Sequence, residues 1–341
     1  MTSAEPILDI KGLTVTFTGG PKPVRAVDGV DLALQRGETV ALLGESGSGK
    51  SVTLRSVLRL HNARKTRTEG SIRADGIDVL GLEGRALTDF RGKTVSMIFQ
   101  EPMLALDPVY TVGQQIVEAI RQHEPISKDA ARQRALQLLE RVRIPSPERR
   151  LAKYPHEMSG GMRQRAMIAL ALSSRPKILL ADEPTTALDA TVQVQILLLL
   201  RELQSELGLS VIFVTHDISV GVEIAERIAV MYAGRIVEVG PVRDVIRTPR
   251  HPYTIGLLST RAHGGRLIGH RLAAIPGSPP DLANLPPGCA YAPRCTLATD
   301  ACRKAVPEPV ALKPSHLVRC HRTDATAAGL DVLSGTSGPS A

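Results

Sequence analysis

The sequence predicts an α/β fold built on a parallel sheet. Three observations carry that reading. The apolar run Glu38–Leu43 feeds a glycine-rich loop and then a helix; Lys177–Ala181 ends on two acids; Ser210–Thr215 ends at a histidine. Such runs suit strands buried on both faces, and their alternation with helical stretches requires parallel crossovers.

The elements follow in order. Ile7–Ile10 and Leu13–Phe17 alternate partially, a Gly/Pro turn spans 19–23, and Val30–Leu34 alternates again, so short strands open the chain. A helix is expected from Lys50 to about Leu60, and Val95–Phe99 reads as a strand. Between roughly 101 and 170 the pattern turns helical: Ala130–Arg143 has apolar residues at helical spacing until Pro145 and Pro147 stop it. Met158–Arg165 opens a helix running to about Ser174, and Thr191–Leu207 is another. Ile228–Met231 and Ile236–Val239 flank a turn at Ala233-Gly234, the signature of a closing hairpin. Beyond Pro241 prolines crowd 276–293 and periodicity fades. This divides the chain into a nucleotide-binding domain at 1–240, with a helical subdomain at about 101–170, and an extension at 241–322. The Ala/Gly/Ser/Thr-rich stretch 323–341 reads as a disordered tail.

At 341 residues, 43% hydrophobic and 22% charged, the chain is long and apolar enough for a sizeable core. Five Tyr, four Phe and no Trp argue against a surface that stacks single-stranded bases. No apolar run approaches the roughly eighteen residues of a membrane span, and no basic-then-apolar leader is visible at Met1–Ile10. A cytosolic chain is expected. Of the net charge of +8, most lies beyond Pro241, where twelve Lys/Arg face six Asp/Glu. That excess lacks a nucleic-acid recognition motif, and a basic face near anionic headgroups suits it equally.

Gly44-Glu45-Ser46-Gly47-Ser48-Gly49-Lys50-Ser51 matches the phosphate-binding loop pattern in full. Its glycines let backbone N–H groups face one phosphate chain, and the following helix points its positive end at the same anion. Lys50 reaches the β- and γ-phosphates, and the Ser51 hydroxyl ligates Mg²⁺. A Gly/Ser surface turn is the bland alternative, and a strand before and a helix after argue against it. Asp182 and Glu183 close a buried strand at the sheet edge where α/β ligands bind. Asp182 would hold Mg²⁺ through water and Glu183 would polarise the attacking water. Ser159-Gly160-Gly161-Met162 opens a helix as a second anion-binding nest. A plain cap needs only Ser159, so the two glycines suggest close approach to a ligand.

With these motifs in this order the chain resembles an ATP-binding cassette (ABC) ATPase: a P-loop NTPase with a RecA-like core, an N-terminal antiparallel β part and a helical subdomain. The resemblance implies ATP and Mg²⁺ as ligands and the following roles. Ser159–Met162 resembles the signature that meets the ATP of an opposite chain, with Met162 where Gln is commonest. Gln100 falls at the Q-loop, linking Mg²⁺ to the membrane partner; Ala187-Leu188-Asp189 resembles the D-loop; His216 resembles the switch histidine beside the catalytic Glu183. Phe17 falls where the family stacks an aromatic on adenine, although a Phe in a strand is more often core. Arg250-His251-Pro252-Tyr253-Thr254, Pro276–Asp281 and the four cysteines resemble the C-terminal extension of oligopeptide, dipeptide and nickel importer ATPases.

The resemblance thus implies an energy-coupling importer subunit, by subfamily for di- and oligopeptides, with nickel, glutathione or opines as alternative cargoes. Its implied partners are a second cassette, identical or homologous, two transmembrane permease subunits and an extracytoplasmic binding protein, at the cytoplasmic face of the inner membrane; no nucleic acid is implied. A non-transport cassette acting on nucleic acid or ribosomes commonly carries tandem cassettes or a coiled-coil insertion, neither of which is present. A regulatory module without turnover would not need Glu183 and His216.

Cys289, Cys295, Cys302 and Cys320 are the only cysteines and lie within thirty-two residues. In a reducing compartment such clustering suggests a bound centre before disulfides. Knuckles of the Cys-x2–4-Cys type, usual for structural zinc, are absent, whereas wider loop-borne spacing suits iron–sulfur clusters. Because some importers of this subfamily are understood to carry a 4Fe–4S cluster in this region, that cluster is preferred to Zn²⁺, with reduced structural thiols as the third reading. Lying beyond the complete cassette, the centre is expected to sit away from ATP.

Overall fold

The computed structural model describes residues 5–186, 188–262, 275–324 and 326; Ala187 of the D-loop and most of the tail at 323–341 lie outside the described residues. Alternation at the N-terminus produces β1 (Leu8–Phe17) and β2 (Val24–Leu34). The stretch read as two strands is one, because Gly12, at φ +57°, carries the chain through a register shift between Ile10 and Leu13. Next come β3 (Thr39–Leu43), α1 (Lys50–Val57), β4 (Thr66–Ala74), β5 (Ile77–Asp78), α2 (Gly84–Lys93) and β6 (Val95–Ile98). The charged strand β4 pairs antiparallel with β1, and a four-stranded sheet of order β2-β1-β4-β5 results.

Helices fill the middle of the chain: α3 (Pro102–Ala105), α4 (Val112–His123), α5 (Lys128–Arg141), α6 (Pro147–Leu151) and α7 (Gly160–Leu172). Thr111 and Gln114 form a reciprocal capping box at the start of α4, and Ser127 caps α5 through the Ala130 N–H. The alternating pattern then resumes with β7 (Ile178–Asp182), α8 (Ala190–Leu207), β8 (Ser210–Thr215), α9 (Ile218–Ile224), β9 (Arg227–Tyr232) and β10 (Arg235–Pro241).

Strands β6, β7, β8, β3 and β9 pair parallel in that order, and β10 closes the hairpin antiparallel on β9. Strand periodicity sorts their side chains between two cores. Ile178, Leu180, Ile212, Val214, Val40 and Leu42 pack towards the four-stranded sheet and α1. Leu179, Ala181, Val211 and Phe213 pack on the other face against the helices.

After α10 (Val242–Arg247), α11 (Pro252–Ala262) and α12 (Asp300–Lys304), the extension returns as β11 (Val310–Lys313) and β12 (His316–Val318). Strand β12 pairs with β10, so the extension completes an eight-stranded sheet of order β11-β12-β10-β9-β3-β8-β7-β6. The joint is polar and buried. Glu238, wholly buried on β10, accepts from the Arg250 and His251 N–H groups at 2.8 and 2.9 Å and pairs with His316 Nε2 at 2.9 Å. Beside it Tyr232, Tyr253 and Tyr291 form a cluster with centroids 4.6 to 5.4 Å apart. The His-Pro-Tyr segment is therefore a fastening between extension and cassette.

Candidate functional site

The phosphate loop leaves β3 and ends with Gly49 as the N-cap of α1 at φ +106°. Two of its glycines are fixed by the chain's own backbone. A Cβ on Gly44 would collide with the Met231 carbonyl, and one on Gly49 would lie 2.5 Å from the Ala26 carbonyl oxygen. Around Gly47, at φ +78°, there is open space, so backbone conformation alone requires glycine there. The first N–H groups of α1 have no intrahelical acceptors and face outward from the helix start, the requirement for holding an anion.

Lys50 lies back across the loop, its Nζ donating to the Gly44 and Glu45 carbonyls at 2.8 and 2.9 Å. Burial lowers its pKa, opposed by the charges of Glu183, Asp182 and Glu45. Ser51 Oγ donates to Asp182 Oδ1 at 2.7 Å. The other carboxylate oxygen, Asp182 Oδ2, is buried and has no hydrogen-bond partner. Burial pushes the Asp182 carboxyl up, with the Ser51 bond pulling against it. An orphaned anionic oxygen beside a hydroxyl fits a divalent cation, which would satisfy it and hold it ionised.

Glu183 follows at the end of β7 with φ +47°. A left-handed conformation costs a non-glycine residue about 1–2 kcal/mol, and the surroundings enforce it: the Glu183 N–H donates to the Val214 carbonyl at 3.1 Å. Its Oε2 accepts from Thr186 Oγ1 at 2.9 Å and Gln100 Nε2 at 3.4 Å, and contacts His216 Nδ1 at 3.2 Å. The structure thus gathers Gln100, Glu183 and His216 at one oxygen. Nothing in the sequence singles out Thr186, since an ordinary Thr three residues from an acid carries no signal.

Ser159 caps α7, its Oγ accepting the Met162 N–H at 3.3 Å. The Gly161 position is tight within the chain itself. A Cβ there would meet Val192 Cγ1 of α8 at 3.0 Å, so part of the glycine requirement is packing between α7 and α8. Asp189 caps α8 through the Val192 N–H at 2.9 Å. Phe17 ends β1 half-buried, its ring meeting His61 edge-on at 5.5 Å.

The four cysteines line one cavity of about 10 Å³, with His251, Tyr291 and His321 also on its walls. Burial raises the thiol pKa of Cys289, Cys295 and Cys320, the last to about 11. Among the described residues no group of three or more His, Cys, Asp or Glu is arranged to hold a metal ion. The donor chemistry suits a soft cation, but the space is that of about one water, and a 4Fe–4S cluster does not fit these thiols as they stand. The region around the cysteines nevertheless reaches the phosphate loop through one side chain. Arg294, beside Cys295, pairs with Glu45 of the phosphate loop at 2.6 and 3.0 Å, because α11 and the stretch 275–295 pack against β9.

A buried strand, a glycine loop capping a helix and an acidic pair at the end of β7, one strand removed from β3 across β8, are the arrangement of a phosphate-loop NTPase. Residues 27–186 match the ABC transporter family model, and residues 237–302 match the oligopeptide/dipeptide transporter C-terminal region. A Brucella melitensis protein named as a peptide import ATP-binding protein is 51% identical over 96% of this chain and all of its own length. The oligopeptide transport ATP-binding protein OppD of Mycobacterium tuberculosis is 48% identical over 94% of this chain and 52% of that protein. Among solved structures, the dimeric post-hydrolysis cassette MJ0796 bound to ADP and Pi superposes with a TM-score of 0.62 at 32% identity, covering 69% of this chain and 99% of that one. The chain belongs to the ATP-binding subunits of ABC transporters, with the C-terminal region of the oligopeptide/dipeptide type. It is an ATP-hydrolysing transporter component, for which ATP and Mg²⁺ are the ligands. Among the described residues no helix is long and apolar enough to cross a membrane.

Proposed function

We propose that this chain powers the import of di- and oligopeptides. The observation that carries the substrate class is the C-terminal region of peptide-transporter type, strand-paired into the cassette sheet; the relatives named for peptide import support it. In this reading two cassettes pair face to face, each phosphate loop opposite the partner's Ser159–Met162 segment, and their motion drives two transmembrane permeases from the cytoplasmic side. An extracytoplasmic protein delivers the peptide.

The roles of the residues follow from their surroundings. Lys50 leaves the loop carbonyls for the β- and γ-phosphates, where its charge is better compensated. Ser51, Asp182 and Gln100 would hold Mg²⁺, which when bound supplies charge neutralisation at the phosphate oxygens. Glu183, held by Thr186 and strained into place, accepts the proton of the attacking water. His216 bridges that carboxylate and the phosphate that leaves. Phe17 would stack on adenine.

For the cysteines we propose a soft-metal centre with a structural role, supported by the convergence of all four on one cavity. A 4Fe–4S cluster and a single Zn²⁺ both require these thiols to rearrange, the cluster by more because of its larger volume. Anaerobic preparation distinguishes them: iron and acid-labile sulfide in similar amounts support the cluster, stoichiometric zinc the ion, and neither leaves buried thiols. The importer reading is tested by reconstituting the chain with its permeases in liposomes. ATP hydrolysis stimulated by a peptide-loaded binding protein supports it, and stimulation only by nickel, glutathione or an opine refutes the peptide assignment.

A further inference from the structure

The second residue of the phosphate loop is an acid, and its placement is peculiar. A carboxylate beside a triphosphate site repels the ligand unless something neutralises it. Glu45 is neutralised from outside the cassette. Arg294 Nη1 and Nη2 donate to Glu45 Oε2 and Oε1 at 2.6 and 3.0 Å, the bidentate fork that fixes a carboxylate's plane. The Arg294 side chain is only 6% exposed. Its remaining donors are spent on the Pro276 carbonyl at 2.8 Å, Tyr232 Oη at 3.3 Å and the Ile275 carbonyl at 3.4 Å. Its guanidinium also lies 5.9 Å from the centroids of Tyr232 and Tyr291. A second tie holds the same residue: the Glu45 N–H donates to Tyr253 Oη at 2.8 Å, and Tyr253 is wholly buried.

We propose that Arg294 is a positioning residue for ATP binding, acting through Glu45. It orders the start of the phosphate loop and cancels the carboxylate charge that would otherwise oppose the triphosphate. Tyr253 assists by occupying the Glu45 N–H, which turns that part of the loop towards the extension. The extension thereby becomes part of the nucleotide site, and Arg294 delivers this from a position adjoining the cysteine-lined cavity.

The charge argument has a distinctive consequence. If Arg294 matters because Glu45 is charged, removing both charges together should be less harmful than removing Arg294 alone. The inference rests on the loop being the ATP site, so Lys50→Ala serves as the control. Affinity for trinitrophenyl-ATP with Mg²⁺, and KM and kcat for ATP, are measured on the full-length protein. Losing one charge-assisted pair predicts about tenfold weaker binding and higher KM in Arg294→Gln, with kcat changed less than about twofold. Arg294→Lys should retain most of the affinity, Glu45→Gln alone should bind about threefold tighter because one negative charge is gone, and Arg294→Gln/Glu45→Gln should return to within about threefold of wild type. Thermal unfolding checks that each variant is folded, and Glu45→Gln tests the charge argument even if Arg294→Gln is not. Unchanged affinity in Arg294→Gln, or a double variant as weak as that single one, overturns the proposal. If Lys50→Ala also leaves affinity unchanged, the loop assignment itself falls.

Discussion

Acid should loosen the joint between extension and cassette through His251. This imidazole is buried, and its Nδ1 accepts the Tyr253 N–H at 3.1 Å. Burial lowers its pKa from 6.5 to about 4, against the pull of the Glu238 charge. In the unfolded chain His251 takes its proton near pH 6.5, whereas in the fold it resists until about pH 4. Between those values the unfolded state binds the additional proton. The stabilisation is therefore fully present above pH 6.5 and is lost as pH falls towards 4. At about 1.4 kcal/mol for each pH unit, the interval amounts to about 3 kcal/mol. The perturbation is His251→Asn, whose amide oxygen can accept the same N–H two residues on and does not titrate. Urea unfolding from pH 4 to 7.5 is the assay, and subtracting variant from wild type removes the carboxylates common to both. The difference should fall by about 3 kcal/mol from pH 6.5 to 4. A flat difference would refute the reasoning that the imidazole is held neutral.

Two further outcomes follow from the phosphate loop. Gly49→Ala places a Cβ 2.5 Å from the Ala26 carbonyl oxygen at φ +106°; it should cost about 2–4 kcal/mol in unfolding experiments, and ATP binding should fail with it. Asp182→Asn replaces the orphaned anionic oxygen with a neutral group, so the Mg²⁺ concentration giving half-maximal ATPase activity should rise about tenfold or more while metal-free nucleotide binding persists.

Much of the cassette was legible in the sequence because its signals are local. The phosphate loop is contiguous, β3, β7 and β8 are buried on both faces and so read as apolar runs, and the Ala233-Gly234 turn marks its hairpin. Strand β4 was not read, because its sequence Thr-Arg-Thr-Glu-Gly-Ser-Ile-Arg-Ala buries only Ile72 and Ala74. The extension resisted for a different reason. Its stability comes from a tyrosine cluster, the Glu238 joint and the Arg294 fork, whose partners lie as far as 249 residues away. No periodicity announces such contacts, and order along the chain suggested remoteness where the fold brings Arg294 onto the loop. Likewise nothing in the sequence shows that Gly161 also makes room for Val192 of α8.

The account centres on Glu183 as the group that activates water, with Gln100, Thr186 and His216 arrayed on its Oε2. Glu183→Gln preserves the shape and most of these contacts while removing the charge. Phosphate release and ATP binding, measured on the same preparation, test the assignment together. The account predicts turnover lower by about 10²–10⁴-fold, with ATP affinity equal to or tighter than wild type. Turnover within about threefold of wild type, with nucleotide still bound, would contradict it.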